Sequence, residues 1–178
     1  MNTRCALDGE CKTLLREAMR RFSPSERSSL IRHVAASGAT AGALSALTAG
    51  RRARIDGTTV YAPINAVTHS LWPDAAPRAT CFSVRHTLLG LAIHQCAAMF
   101  WGVLFEALVP RSPRKRVGTT LAVAAATAAT AYAVDYHCVP KRLTPGFESH
   151  LSPRSMVWVY TAIAGGFAFA ALLRRQSR

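Results

Sequence analysis

Acidic residues are scarce in this chain of 178 residues. Only 9 Asp+Glu stand against 22 Lys+Arg, a formal net charge of +13. Charge of either sign is sparse at 17%, while half the residues are apolar. A nucleic-acid binder this basic needs a more heavily charged, solvated surface. A disordered chain needs far fewer apolar residues. The five cysteines, at 5, 11, 81, 96 and 138, are odd in number and form no Cys-x-x-Cys pair. That argues against a zinc knuckle, a thioredoxin motif and a disulfide-dense secreted framework. The chain also lacks G-x-S-x-G, P-loop, dinucleotide and H-E-x-x-H patterns, so no catalytic motif points to an enzyme. No apolar run of secretory-signal length opens the chain, and membrane insertion is expected to use internal, retained segments.

What is present is a set of long apolar segments with basic flanks. Residues 1–22 read as a basic cytoplasmic leader. Within it Leu7, Cys11, Leu14, Leu15, Ala18 and Phe22 recur at helical spacing, as an amphipathic helix or a solvated segment. Ser23-Pro24-Ser25-Glu26 fits a capping box with Pro at the first helical position. Ser-Pro recurs at 112–113 and 152–153, each time before a long apolar run. The expected fold class is all-α: a bundle of four transmembrane helices over about 24–50, 84–109, 113–139 and 153–173, forming one domain at 23–178. About 20 residues cross a hydrocarbon core of ~30 Å. A short half-helix, re-entrant or interfacial, is expected over 63–72, between Pro63 and Trp72-Pro73. Gly38, Gly42, Ala46 and Gly50 are spaced four apart, as are Ala162, Gly166 and Ala170. Such rows let helices approach closely in lipid, within one chain or between two copies.

Lys and Arg set an orientation. With the N-terminus inside, inner segments hold 14 and outer loops hold 8, which favours both termini in the cytoplasm. The basic run at 111–116 then reads as an inner anchor and not as a nucleic-acid site. The partner expected throughout is the lipid bilayer.

In this topology the polar residues collect on the outer side. Asn65, Thr68, His69 and Trp72 share a helical face. His94 lies about 10 Å into the second apolar run. Asp135 and His137 close the third, and Glu148 follows in the next loop. Ionisable groups inside a membrane are costly and need a partner or a function. The leading reading is structural: His94 and Asp135 bond to each other, or to Asn65 and Thr68, and lock helices. A second is a metal or haem site using His69, His94 and His137, although no His-x-x-x-His or Glu-x-x-His pair exists. A third is a proton or solute path through His94, Asp135 and Glu106. Cys81 and Cys138 share the outer side, as two thiols or as a disulfide in an oxidising compartment. Thr144-Pro145-Gly146 places Pro and Gly as a type II turn does, swinging Glu148 toward Arg142, Arg154 or a histidine.

Two stretches carry a resemblance. Ala62-Pro63-Ile64-Asn65-Ala66-x-x-His69-x-Leu71-Trp72 is one. Asp135-Tyr136-His137-x-Val139-Pro140-x-Arg142-Leu143-Thr144-Pro145-Gly146-Phe147-Glu148 is the other. Both resemble stretches of uncharacterised small bacterial integral membrane proteins with about four helices, over roughly residues 33–173. The resemblance implies a bacterial inner-membrane location and carries no activity with it. A structural or accessory membrane component is the expected role, with a metal- or haem-binding redox protein as the alternative.

Overall fold

A computed structural model describes residues 24–110 and 117–176. The expected amphipathic leader helix, the Ser23 cap and the Ser112-Pro113 start lie outside the described residues. The chain divides into two compact units, Met1–His33 and Val34–Arg178. Of the first unit, residues 24–33 are described, as the opening turns of a helix with Glu26 in its first turn. A carboxylate there complements the positive end of the helix dipole.

The described residues are helical and contain no strand. Helix α1 spans Pro24–Ile55. It runs past Gly50, where the apolar segment ends, because Arg51, Arg52 and Arg54 are good helix formers. Gly50 serves a close approach: a Cβ there would stand 3.0 Å from the Val60 carbonyl oxygen. The helix stops two turns later at Gly57, whose φ is +88°. Thr58 N–H donates to the Ala53 carbonyl and Gly57 N–H to that of Arg54, the paired bonds of a Schellman cap. Helix α2 spans Ala62–Ala66, opened by Pro63, and tightens into a 3-10 turn at Val67–Ser70. Where the half-helix is expected over 63–72, a short helical segment runs over 62–70, buried at 62–68 and half-buried at His69 and Ser70.

A single π-helical turn, Val84–Leu88, leads into α3, Leu89–Leu108. Helix α4 spans Val117–Ala133 and closes in a second π turn, Val134–Cys138. Helix α5 spans Pro153–Gln176. Its start is the expected Ser-Pro cap: Ser152 Oγ accepts from Ser155 N–H, satisfying a first-turn donor.

Among the described residues, three helical stretches are long and apolar enough to cross a membrane: Val84–Leu108, Val117–Cys138 and Pro153–Gln176, of 25, 22 and 24 residues. Of four expected spans, the one carried by α1 does not meet that standard; its middle is rich in Ala, Gly, Ser and Thr. The three spans are built inside out relative to a soluble core. No more than 44% of any apolar window is buried. On α4, Thr120, Ala124, Thr127, Ala128 and Ala131 point inward while Leu121 and Tyr132 point out. On α5, Trp158 and Phe169 are more than half exposed while Gly166 and Ala170 are buried. Exposed apolar area this extensive needs an apolar solvent, and small residues inside are how helices pack in lipid.

The glycine rows pack within the chain. A Cβ on Gly38 would meet Met99 Cα of α3 at 2.7 Å, and one on Gly42 would strike the Gln95 amide at 2.4 Å. A Cβ on Gly166 of α5 would meet Ala41 Cα at 2.4 Å. Helix α1 therefore lies against both α3 and α5. Phe105 and Phe167 stack between α3 and α5 with ring centroids 5.0 Å apart, and α4 packs lengthwise on α5.

Candidate functional site

The expected outer cluster separates into three places. His94 is buried on α3 and faces α1. Its Nε2 lies 2.9 Å from Ser45 Oγ and 3.2 Å from the Gly42 carbonyl oxygen. Ser45 donates its own proton to the Ala41 carbonyl at 2.7 Å. Its oxygen therefore accepts from His94 Nε2–H, which assigns the tautomer. Gln95, next in sequence, donates to the Gly38 carbonyl at 2.9 Å. These bonds tie α1 to α3, each worth about 0.6 kcal/mol and up to ~1.7 in a membrane.

Asn65 is the hub of the second place. Its amide nitrogen donates to the carbonyls of Ala79 (2.6 Å) and Cys81 (2.8 Å), and its oxygen accepts from Thr87 Oγ (2.7 Å). Thr68 donates to the Asn65 carbonyl and accepts from His86 Nδ1, both at 2.8 Å. His69 sits at the rim with Nδ1 2.9 Å from the Ala66 carbonyl and Nε2 3.1 Å from that of Lys141. Trp72 lies edge-on to His86, with the Arg85 guanidinium 3.9 Å above its ring. All of these hold the 57–88 segment in one shape.

Asp135 belongs to the third place and does not reach His94, Asn65 or Thr68. It accepts from Tyr160 Oη of α5 at 2.8 Å. Helix α4 packs on α5, so the end of α4 turns its carboxylate to that neighbour. Tyr132, Tyr136 and Tyr160 surround it with inclined rings 5.2–6.3 Å apart. His137 is exposed and lies against the Tyr132 ring, with centroids 5.8 Å apart. Glu148 is exposed and accepts from Thr144 Oγ at 2.9 Å; neither Arg142, Arg154 nor a histidine pairs with it. Arg142 instead donates to the Ser70 carbonyl at 3.1 Å. The turn before Glu148 is as expected, with Gly146 at φ +79°.

His69, His94 and His137 thus occupy separate surroundings. Among the described residues no three His, Cys, Asp or Glu side chains are arranged to hold a metal ion. Cys81 and Cys138 stand as free, exposed thiols, as does Cys96.

A buried ion pair lies at the other end of α3. Glu106, 2% exposed, pairs with Arg174 of α5 at 2.5 Å. Ser37 of α1 donates to the same carboxylate oxygen and accepts from Arg174 Nη1 at 3.0 Å. Arg175 donates to Thr120 of α4 at 2.6 Å. Three helices meet at one carboxylate. Glu106, expected on a path with His94 and Asp135, sits instead in an ion pair. Its signal was there: Glu106 is the sole acid in the second apolar run, and Arg174 closes the fourth. A further clamp joins the opposite ends of α1 and α5. Asp56 accepts from Ser152 N–H at 2.9 Å, and Arg52 Nε donates to Ser155 Oγ at 3.0 Å. Hydrogen bonds from Ser155 and Ser152 hold the Asp56 carboxyl below the ordinary range.

No protein-family model, curated protein or solved structure matches this chain.

Proposed function

We propose that the chain is a small integral protein of the bacterial inner membrane, with four crossing helices and both termini in the cytoplasm. Its role is structural or accessory, without catalysis. One observation carries this reading: His94, Gln95, Asp135 and Glu106, the ionisable and amide side chains along the apolar helices, are used in bonds between helices. His94 and Gln95 bind α1, Asp135 binds α5, and Glu106 binds α1 and α5 together. A side chain so engaged is poorly placed to hold a substrate or metal.

Other features support the finer statements. With 32 residues, α1 has the length to cross, and it contacts α3 and α5 through its glycine row. The excess of Lys and Arg on one set of loops supports the orientation. Residues 62–72 and 135–148, with their likeness to small bacterial membrane proteins, support the location.

Two experiments test it. A reporter active only in the cytoplasm is fused, in separate proteins, before Met1 and after Arg178. Activity from both is expected. One silent reporter means an odd number of crossings and removes α1 as a span, and two silent reporters reverse the orientation. The full chain, purified in detergent, is then examined for helical circular dichroism, visible absorption and bound metals. A folded, colourless, metal-free protein is expected. A haem band or stoichiometric metal would overturn the structural role.

A further inference from the structure

His69 presents a proton count that a neutral ring does not meet. Both of its nitrogens face carbonyl oxygens, Nδ1 that of Ala66 and Nε2 that of Lys141. A neutral imidazole has one N–H, so it bonds one carbonyl and turns a lone pair to the other. Imidazolium donates to both, and a charged donor gives the stronger bond. The two carbonyls lie in different parts of the chain. Ala66 is one turn back on the same segment, whereas Lys141 belongs to the loop after α4.

The joint between these parts is closely built. Arg142 Nε donates across it to the Ser70 carbonyl. Gly146 lies so near that a Cβ would stand 2.6 Å from the Ala66 carbonyl oxygen and 2.8 Å from His69 Nδ1. Phe147, the next residue, is 2% exposed, and its ring covers that of His94 at 5.5 Å. Whatever fastens residues 141–147 to the short helix also keeps His94 covered.

We propose that His69 is a proton-dependent latch that closes the 141–147 loop onto the 62–70 helix, tight with both ring nitrogens protonated and loosened with one. The side of the membrane on which the loop lies decides which compartment's acidity it senses. The ionisable groups on the elements around Val67–Ser70 are accounted for. Arg78 lies on the Ala76–Arg78 turn, and Lys141 and Arg142 lie on the Lys141–Leu143 turn. Arg85 covers Trp72, and His86 is bonded to Thr68. On α3, His94 is bonded to Ser45 and Glu106 to Arg174. Thr144 lies within bonding distance of both the Lys141 carbonyl, at 3.0 Å, and Glu148. A carbonyl has two lone pairs, so Thr144 leaves one for His69.

The test is hydrogen–deuterium exchange of the full chain in detergent micelles, from about pH 8 to about pH 5, corrected for intrinsic rates. Amides of residues 141–147 are expected to become about tenfold better protected as pH falls. In His69→Gln that dependence should vanish. Unchanged protection across the range in the native protein overturns the latch, as does an unaltered pH response in the variant. Nitrogen NMR of histidine-labelled native protein gives a reading that needs no variant. The closed loop should coincide with two protonated ring nitrogens on His69; a closed loop with a singly protonated ring overturns the proposal.

Discussion

The helices hold their polar groups differently at their two ends. Where α1 closes and α3 begins, the bonds are many and go mostly to backbone or hydroxyl groups, and Asp56 and Arg52 bond serines and not an opposite charge; Asn65 alone binds two carbonyls and a threonine hydroxyl. Where α3 closes, one carboxylate, one guanidinium and one hydroxyl join three helices. A neutral hub spreads its contribution over bonds worth about 1 kcal/mol each. A buried ion pair concentrates it, because removing one partner leaves a poorly solvated charge without the group bonded to it. The first end fixes loop shape. The second fixes which helices are neighbours.

The largest expected effect comes from breaking the pair. Glu106→Ala should destabilise the protein by about 3–5 kcal/mol, read as thermal unfolding in detergent. Arg174→Ala should act similarly, and the double variant should lose less than the two single losses combined. Additive losses would mean that the two side chains act independently, and the contrast between the ends would collapse.

Asn65→Ala should cost less, about 1–3 kcal/mol, by leaving the Ala79 and Cys81 carbonyls without their donor. Its effect should be local, with hydrogen exchange rising in residues 79–83 and unchanged in α5. An exchange increase that reaches α5 would show the two ends to be one cooperative network.

Much of this was legible from the chain alone, for identifiable reasons. Apolar run length was enough for three of the spans, and the Ser-Pro start at Ser152-Pro153 was enough for the cap of α5. Pro145-Gly146 gave the turn. The glycine spacing gave close packing, though which helix faced Gly38 had to be seen. The site was less legible, because sequence order says which end of a helix a residue occupies but not its azimuth. Asp135 and His94 are expected on the same side of the bundle, yet α4 turns its carboxylate to Tyr160 on α5. A π turn at Val134–Cys138 adds to this, since it shifts every side chain beyond it around the axis. Glu106 and Arg174 are 68 residues apart, and only the packing of α3 beside α5 brings them together.

The smallest effect separates two histidines at the loop-rich end by sign. Burial holds His150 below the ordinary histidine value of 6.5, partly opposed by the Pro77 carbonyl. Its Nε2 is buried without a hydrogen-bond partner. Because the folded value is lowered, the unfolded chain binds the proton more readily. The stability from keeping His150 neutral is complete above about pH 6.5 and lost as pH falls through that point toward the folded value. Asp56, also held low, keeps its contribution until pH falls below the ordinary carboxylate value of 3.8. Between these limits, acid should slightly lower the unfolding temperature through His150 while tightening the loop that His69 holds. His150→Gln should flatten the fall in unfolding temperature and leave the protection of residues 141–147 as pH-dependent as before. If it abolishes both, the two histidines report one titration and the latch at His69 has no separate existence.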